Sequence, residues 1–480
     1  ARSTSQSFRD APARSRRRGS WLLLAVMMVA GLGGGAAVFS LRRIDQEIQV
    51  RLSQQLASHL KDFQIVIANA RRVGGRGIEI RGLTIASTEG EPLAAIDELI
   101  VECNVEISQL LTRSMVPSIE RVVVRHLELH CRPDQSKEIF EKLRSLPSRD
   151  GGSLPPIQIE DASVRLYGTD QPLLIQDLNL DLIPAEDAPE LMLQGSMTAD
   201  FASQIQVTGK IRHDATSWDL DGRVADFEFS PRLTERLPTD IRQMITPLAG
   251  LQANGTLEFK VGSPREPGGD IRFSVSGNVA DGQLQDPRWS TPFTALRAEF
   301  SGDNGHFELH QLSARNGATT IFVAGNQQGW GADVPRSGRL RLRDLTVDRE
   351  LLEALPERFK SLVPKLSPEG MVNIDLHAQM QGEELHASAV VECIDASFSY
   401  HKFPYRLTAC RGIVRYEDGV IQARRLRALA NGQPLTISFE FANPGVMSTG
   451  WCTVHADGPV PLDENLIMAL EPKSRAIVLS

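Results

Sequence analysis

Leu257-Glu258-Phe259-Lys260-Val261 and Ile271-Arg272-Phe273-Ser274-Val275 set an apolar side chain at every second position and a polar one between. Successive side chains of a strand point to opposite faces, so a period of two predicts β-strands with one dry and one wet face. The same alternation runs upstream through Ile78-Glu79-Ile80, Ile157-Gln158-Ile159, Leu178-Asn179-Leu180-Asp181-Leu182 and Ile205-Gln206-Val207. Downstream it returns in Val372-Asn373-Ile374-Asp375-Leu376 and Leu435-Thr436-Ile437-Ser438-Phe439. Alternation this regular marks antiparallel sheet, and the expected fold class is mainly β. The apolar face then has candidate members at Leu257, Phe259, Val261, Ile271, Phe273, Val275, Ile374, Leu376, Ile437 and Phe439.

The alternation begins only after a different kind of sequence. Trp21 to Leu41, with Leu22 inside it, is an uncharged run of 21 residues. At 1.5 Å per residue it is long enough to cross a hydrocarbon layer of about 30 Å, so it reads as a transmembrane helix. Arg14, Arg16, Arg17 and Arg18 precede it and only Arg42 and Arg43 follow, which places the short tail in the cytoplasm and the body outside it. A cleaved signal peptide is the rival reading, because Gly35-Ala36-Ala37 resembles a small-residue cleavage site. Beyond the run, Ile48, Leu52, Leu56 and Leu60 lie four apart and predict a short amphipathic helix over 42–62.

Charge narrows the function classes. The chain carries 52 basic and 60 acidic side chains, and the first 43 residues hold eight Arg against Asp10 alone. Residues 44–480 therefore carry a net charge of −15, a poor electrostatic match for nucleic acid. Five cysteines, Cys103, Cys131, Cys393, Cys410 and Cys452, sit in or beside strand-like runs without a C-x-x-C pair, and their odd number leaves at least one unpaired within the chain. They read mainly as small buried hydrophobes, with one or two bridges allowed in an oxidising compartment.

The sequence also matches itself. Asp226-Phe227-Glu228-Phe229, Leu233 and Leu237-Pro238 align with Asp344-Leu345-Thr346-Val347, Leu351 and Leu355-Pro356 at an offset of 118. Gly255 to Val261 aligns with Gly370 to Leu376 at an offset of 115, and the order is kept through Pro292–Leu296 against Phe403–Leu407. These matches predict a tandem repeat of strands around a helical turn. The expected organisation is a basic tail (1–20), a transmembrane helix (21–41), an amphipathic helix (42–62), an N-terminal β region (63–217) and repeats over 218–335 and 336–450. A further, truncated β segment is expected over 451–480. The stretch 134–153 reads as a surface helix or an insertion.

Chemistry is sparse. No G-x-S-x-G, H-E-x-x-H, Walker or EF-hand pattern is present. His126 and His130 sit four apart in a strand pattern, about 13 Å at ~3.3 Å per residue, too far for one ion to bridge. Asp219 and Asp221 read as turn residues of W-D-L-D-G. The expectation is therefore no catalytic residue, no metal and no cofactor.

The basic tail, the single anchor, the amphipathic helix, the first strands with Ile78, Ile80, Leu83 and Ile85, and the long alternating sheet resemble together the AsmA-like family of bacterial envelope proteins, with its TamB- and YhdP-type relatives. The resemblance implies an elongated, twisted antiparallel β-sheet groove with short helical insertions behind an N-terminal transmembrane helix. It implies an inner-membrane, single-pass protein with a periplasmic body that acts in outer-membrane biogenesis by passing phospholipids between membranes. The implied partners are phospholipids, the inner membrane and outer-membrane or envelope proteins, with no nucleic acid. Periodicity leaves an alternative open: the same apolar faces closing on each other in β-sandwiches, as a single-pass ectodomain for adhesion or envelope scaffolding.

Overall fold

A computed structural model describes residues 63–104, 119–132, 155–167, 171–185, 189–212, 217–237, 250–264, 271–287, 289–330, 334–354, 367–382, 384–400, 403–443, 449–459, 463–470 and 475–476. The apolar run with Trp21, Leu22 and Leu41, the amphipathic segment 42–62 and the stretch 134–153 lie outside the described residues. Among the described residues no helix is long and apolar enough to cross a membrane. They are mainly β, and the chain divides into two compact units. The first holds the described residues up to Val224 with 235–237, 260–264 and 271–272; the second holds 225–234, 250–259 and the described residues from Phe273 onward.

The first unit is built from β1 (Phe63–Val73), β2 (Gly77–Ser87), β3 (Pro92–Cys103), β4 (Ile119–Cys131), β5 (Ile157–Leu166), β6 (Leu173–Pro184), β7 (Glu190–Ala199) and β8 (Ala202–Arg212). Each strand pairs with the next, β1 to β2 across the turn at Gly74 and Gly75, whose φ of 63° and 76° are open to glycine without strain. The pairings are antiparallel except that β4 and β5 run parallel, against the sequence expectation of a purely antiparallel sheet. The reason is the connection: parallel neighbours need a long crossover, and residues 132–156 supply one. β9 (Trp218–Phe229) and β10 (Leu251–Gly262) each contribute residues to both units. Asp219 and Asp221 lie inside β9 rather than in a turn, and pair with Arg272 and Lys260.

The second unit continues with β11 (Arg272–Leu284), β12 (Phe293–Asp303), β13 (His306–Asn316), β14 (Thr319–Gln328), β15 (Arg336–Val347), β16 (Glu369–Gln381), β17 (Glu384–Tyr400), β18 (Phe403–Glu417), β19 (Val420–Ala430), β20 (Gln433–Ala442) and β21 (Thr449–Ala456). From β11 to β21 every strand is antiparallel to the next in chain order. Among the described residues three helical turns punctuate the strands: α1 (Pro231–Arg236) after β9, α2 (Arg349–Ala354) after β15 and α3 (Glu464–Ala469) after β21. Among the described residues the order strand, helix, five strands thus occurs twice, and β21 with α3 has the form of another start.

Strict alternation is broken in many strands by a recurring step. Ile80-Arg81-Gly82-Leu83, Ile175-Gln176-Asp177-Leu178, Leu342-Arg343-Asp344-Leu345 and Ala423-Arg424-Arg425-Leu426 each place two inward apolar residues three apart instead of two. The residue before the second one has a left-handed backbone: φ is 62° at Gly82, 49° at Asp177, 54° at Asp344 and 57° at Arg425. Asp161, Asp226 and Asp281 do the same at 53°, 50° and 52°. Shifts of register accompany the steps at Asp177, Asp344 and Arg425, as between Leu342 and Leu345 or Ala423 and Leu426, which identifies them as β-bulges, whereas the register of β2 with β1 and β3 runs unshifted through Gly82. Asp is well suited to the site, since its short polar side chain tolerates the left-handed region better than most. The extra residue restores the apolar phase beyond the bulge.

Packing differs along the chain. In the first unit Ile80, Leu83, Leu99, Val101, Val122, Val124 and Ile157 form one core, with Leu83 and Val122 fully buried. In the second unit buried clusters are smaller: one around Leu251, Ala253, Leu296 and Ala314, another around Tyr405, Cys410, Leu426, Ala428 and Ile437. Ala469 of α3 belongs to the latter, and Asp463 ahead of that helix caps it by accepting from the Leu466 N–H at 2.7 Å. Asp463 also accepts from Tyr405 Oη at 3.2 Å and Asn431 Nδ2 at 2.7 Å, so the helix is tied to the bulged end of β18 and β19.

Candidate functional site

The registers of the second unit bring inward-facing residues into rows that cross the strands. One row is Val279, Ala298, Leu312, Val323, Leu340, Leu376, Ala389, Tyr416, Ile421 and Phe441, each the register partner of the next from β11 to β20. A second is Ala314, Ile321, Leu342, Ile374, Val391, Val414, Ala423 and Phe439, from β13 to β20. Neither row is interrupted by a charged side chain. At about 4.8 Å between strands, the first row follows the sheet for about 43 Å.

Every residue of the first row is half-buried, as are all members of the second except Ala314 and Ala423. A face closed by a second sheet would bury its central positions fully, as the first unit buries Leu83. Exposure rises along the strands. Near the bulges Leu345, Val372 and Leu296 are buried; two and four residues beyond Val372, Ile374 and Leu376 are half-buried; at the hairpin end Leu385 is 42% exposed. That end also carries an aromatic group: Trp330 lies 5.9 Å from Phe273 and 6.0 Å from Phe307, ring centre to ring centre, and Phe307 lies 6.4 Å from Phe300. The indole N–H of Trp330 donates to the Asp303 carbonyl at 2.7 Å. Gly302 has no side chain to obstruct this packing, since a Cβ there would meet Phe307 at 3.3 Å and Trp330 at 3.6 Å.

The residues singled out by alternation fall unevenly on this face. Ile374, Leu376 and Phe439 are in the rows, and Phe273 and Val275 stand in phase with Val279 on β11. Leu257 reaches the same face, for a Cβ on Gly277 would meet its Cδ2 and the Phe300 ring. Phe259 and Val261 are half-buried on β10, in phase with Leu257. Two assignments change. Ile271 precedes β11, where the ladder has not begun, and is 53% exposed. Ile437 is part of the buried cluster under α3 rather than of the half-open surface. The rows themselves, especially Leu312, Leu340, Val323 and Tyr416, were missed because cross-strand register is not visible in one strand.

The opposite faces are polar. In the first unit a ladder of ion pairs crosses five strands: Arg71 Nε donates to Glu79 at 2.8 Å, Arg81 joins Glu79 to Glu98 with its Nη2 3.2 Å from Glu98, and Arg125 joins Glu98 at 2.9 Å to Glu160 at 2.7 Å. The bidentate Arg71 pair, aided by Arg81, holds the Glu79 carboxyl below the usual range. In the second unit Arg343 and Arg341 both pair with Asp375, and the Arg343 bond lowers its pKa. Asp375, one residue from the apolar row at Ile374, is thus a paired group. Farther along that face Arg411 and Arg427 are register partners, and neither has a carboxylate partner among the described residues.

Groups with chemical potential are dispersed. His130 Nδ1 lies 3.1 Å from Tyr167 Oη, His310 Nε2 lies 2.9 Å from Ser301 Oγ, and His126 is exposed with a left-handed backbone. Among the described residues no group of three or more His, Cys, Asp or Glu side chains is placed to hold a metal ion. All five cysteines are free thiols. Cys103 and Cys410 are buried, and burial pushes the Cys410 thiol up to about 12, whereas Cys452 is exposed on β21. The arrangement offers an extended apolar surface and no catalytic constellation among the described residues. No family model and no curated protein matches the chain.

Proposed function

We propose that the protein is an AsmA-like envelope protein whose second unit carries phospholipid acyl chains on its apolar sheet face. The observation that supports this reading is the uninterrupted, half-buried apolar row from Val279 to Phe441. Each CH₂ of an acyl chain exposed to water costs about 0.8 kcal/mol, so a surface that stays apolar over ten strands lowers the barrier to moving a lipid along it. The arginine-flanked run Trp21–Leu41 fits an inner-membrane anchor with the N-terminus in the cytoplasm and the body in the periplasm. In this reading the protein is a conduit in outer-membrane biogenesis and not an enzyme, its partners being phospholipids, the inner membrane and outer-membrane or envelope proteins. The alternative of an adhesive or scaffolding β-sandwich is favoured by the dry core of the first unit, but among the described residues it leaves the half-open rows of the second without a covering layer.

A photoreactive amino acid placed in the full chain tests the reading in cells. At Leu340 or Leu376 it is expected to yield phospholipid adducts detectable by mass spectrometry, and at the outward neighbours Arg339 or His377 it is not. Adducts in equal amount on both faces, or on neither, would sink the conduit.

A further inference from the structure

Arg336, the first residue of β15, occupies the wrong phase for a charge. Arg336, Gly338, Leu340 and Leu342 alternate onto one face, and Leu340 and Leu342 are members of the two apolar rows. Its register partners are Gln327 on β14 and Met380 on β16, the latter in phase with Ile374 and Leu376. The guanidinium Nε and Nη2 both donate to the Met380 thioether, at 3.2 and 3.1 Å. Sulfur of this kind is a weak acceptor, and it leaves the remaining donors of a planar, permanently charged fork without protein carbonyl or carboxylate. No carboxylate pairs with Arg336 among the described residues, in a body where acidic side chains outnumber basic ones.

The surroundings grade from polar to apolar over a short distance. Arg336 is exposed at the hairpin end of the face, the end at which Leu385 and Trp330 also reach solvent. One step inward the register partners are Gly325, Gly338, Ala378 and Ala387, a strip of low relief. Beyond it begins the row at Leu340 and Leu376, about 13 Å from Arg336 at ~3.3 Å per residue. A charged fork at a wet rim, a shallow strip and then a continuous apolar surface are complementary to an amphiphile with an anionic head and hydrocarbon tails.

We propose that Arg336 is a headgroup site: it binds the phosphate of a phospholipid, by the two-pronged geometry that arginine offers to phosphate oxygens, while the acyl chains lie on the rows through Leu340 and Leu342. The proposal rests on the lipid-carrying reading and adds to it a preference among amphiphiles. A face that held only hydrocarbon would be indifferent to the head.

The test uses the full chain in a mild nonionic detergent and two probes with identical photoreactive acyl chains, one a phosphatidic acid and the other the corresponding diacylglycerol. The wild-type chain is expected to capture the phosphate-bearing probe about tenfold better than the neutral one, the scale of a charge-assisted pair. Arg336→Gln should remove that preference and leave capture of the neutral probe unchanged, and Arg336→Lys should restore part of it. A circular dichroism spectrum unchanged from wild type accompanies each variant, as expected for an exposed position. Equal preference in wild type and Arg336→Gln overturns the headgroup site while leaving lipid carriage intact. Capture of neither probe by the wild-type chain removes both. If inorganic phosphate at probe concentration displaces the phosphatidic acid, the site is one for the free anion, and the headgroup assignment fails.

Discussion

Leu83 in β2 and Leu376 in β16 hold equivalent places in their sheets: each faces inward from mid-strand with register partners on both sides, Ile67 and Ile96 for one, Leu340 and Ala389 for the other. Yet Leu83 is fully buried and Leu376 is half-buried. The contrast holds for the surroundings, Val122 and Val101 being as dry as Leu83 while Leu312, Leu340 and Tyr416 are as open as Leu376. The wet faces differ too. Arg71, Glu79, Arg81, Glu98, Arg125 and Glu160 satisfy one another in the first unit, whereas Arg411 faces Arg427 in the second. Identical alternation therefore supports two economies: a first unit closed on a dry core and braced by paired charges, and a second whose apolar face is only half enclosed.

The comparison breaks most easily at its driest point. Leu83→Asp forces a carboxylate into a core without a partner and should cost on the order of 4 kcal/mol or more, seen as loss of the cooperative thermal transition of the first unit. A folded, stable Leu83→Asp protein would show that its core is open as well. Leu376→Asp is the matching change in the second unit. There the carboxylate reaches water, so the expected loss of stability is about 1 kcal/mol, the cost of lost apolar contact, with a near-normal circular dichroism spectrum and much reduced lipid adducts at Leu340. If Leu376→Asp unfolds the protein as Leu83→Asp does, the two faces are the same and the difference in exposure has no energetic meaning.

Acid separates the polar faces. Because the folded-state pKa of Glu79 lies below its ordinary 4.5, the ladder's contribution is fully present above that pH and is lost as pH falls through the lowered folded value. Urea midpoints of the first unit should therefore drop from pH 5 downward, and Glu79→Gln should lower the midpoint at pH 6 while flattening the acid limb. An unchanged acid limb in Glu79→Gln would remove the ladder as a brace. The smallest expected effect is at Arg427. Exchanging a like-charge register pair for an opposite one through Arg427→Glu should stabilise the second unit by about 0.2–1 kcal/mol, read as a rise in Tm, and a fall in Tm would mean that Arg427 has a partner of its own.

Local periodicity located strands in both units, including β10, β16 and β20, because a half-buried strand must alternate. It stumbled where the backbone departs from two residues per repeat. Ile78, Ile80, Leu83 and Ile85 already carry a three-residue step around a left-handed residue, and Asp161, Asp177, Asp226, Asp281 and Asp344 mark others. Those signals are legible once a polar, left-handed-tolerant residue just before an apolar one is read as a phase reset. Arg336 was legible as well, as the one charge in the phase of Leu340 and Leu342, but it gains meaning only beside Met380. The parallel pairing of β4 with β5 was not legible, because the same alternation serves either direction.

The sequence by itself determined that this chain forms strands, which side of each strand is apolar, where the uncharged run lies and that the body is acidic, since all of these follow from the order and spacing of side chains along one chain. Only the tertiary structure decided that Leu312, Leu340, Leu376 and Tyr416 stand in one row and that the row stays half-open while Leu83 is sealed. Row membership depends on register, and burial depends on what lies opposite a face, and both are relations between residues far apart in the chain that no local period encodes.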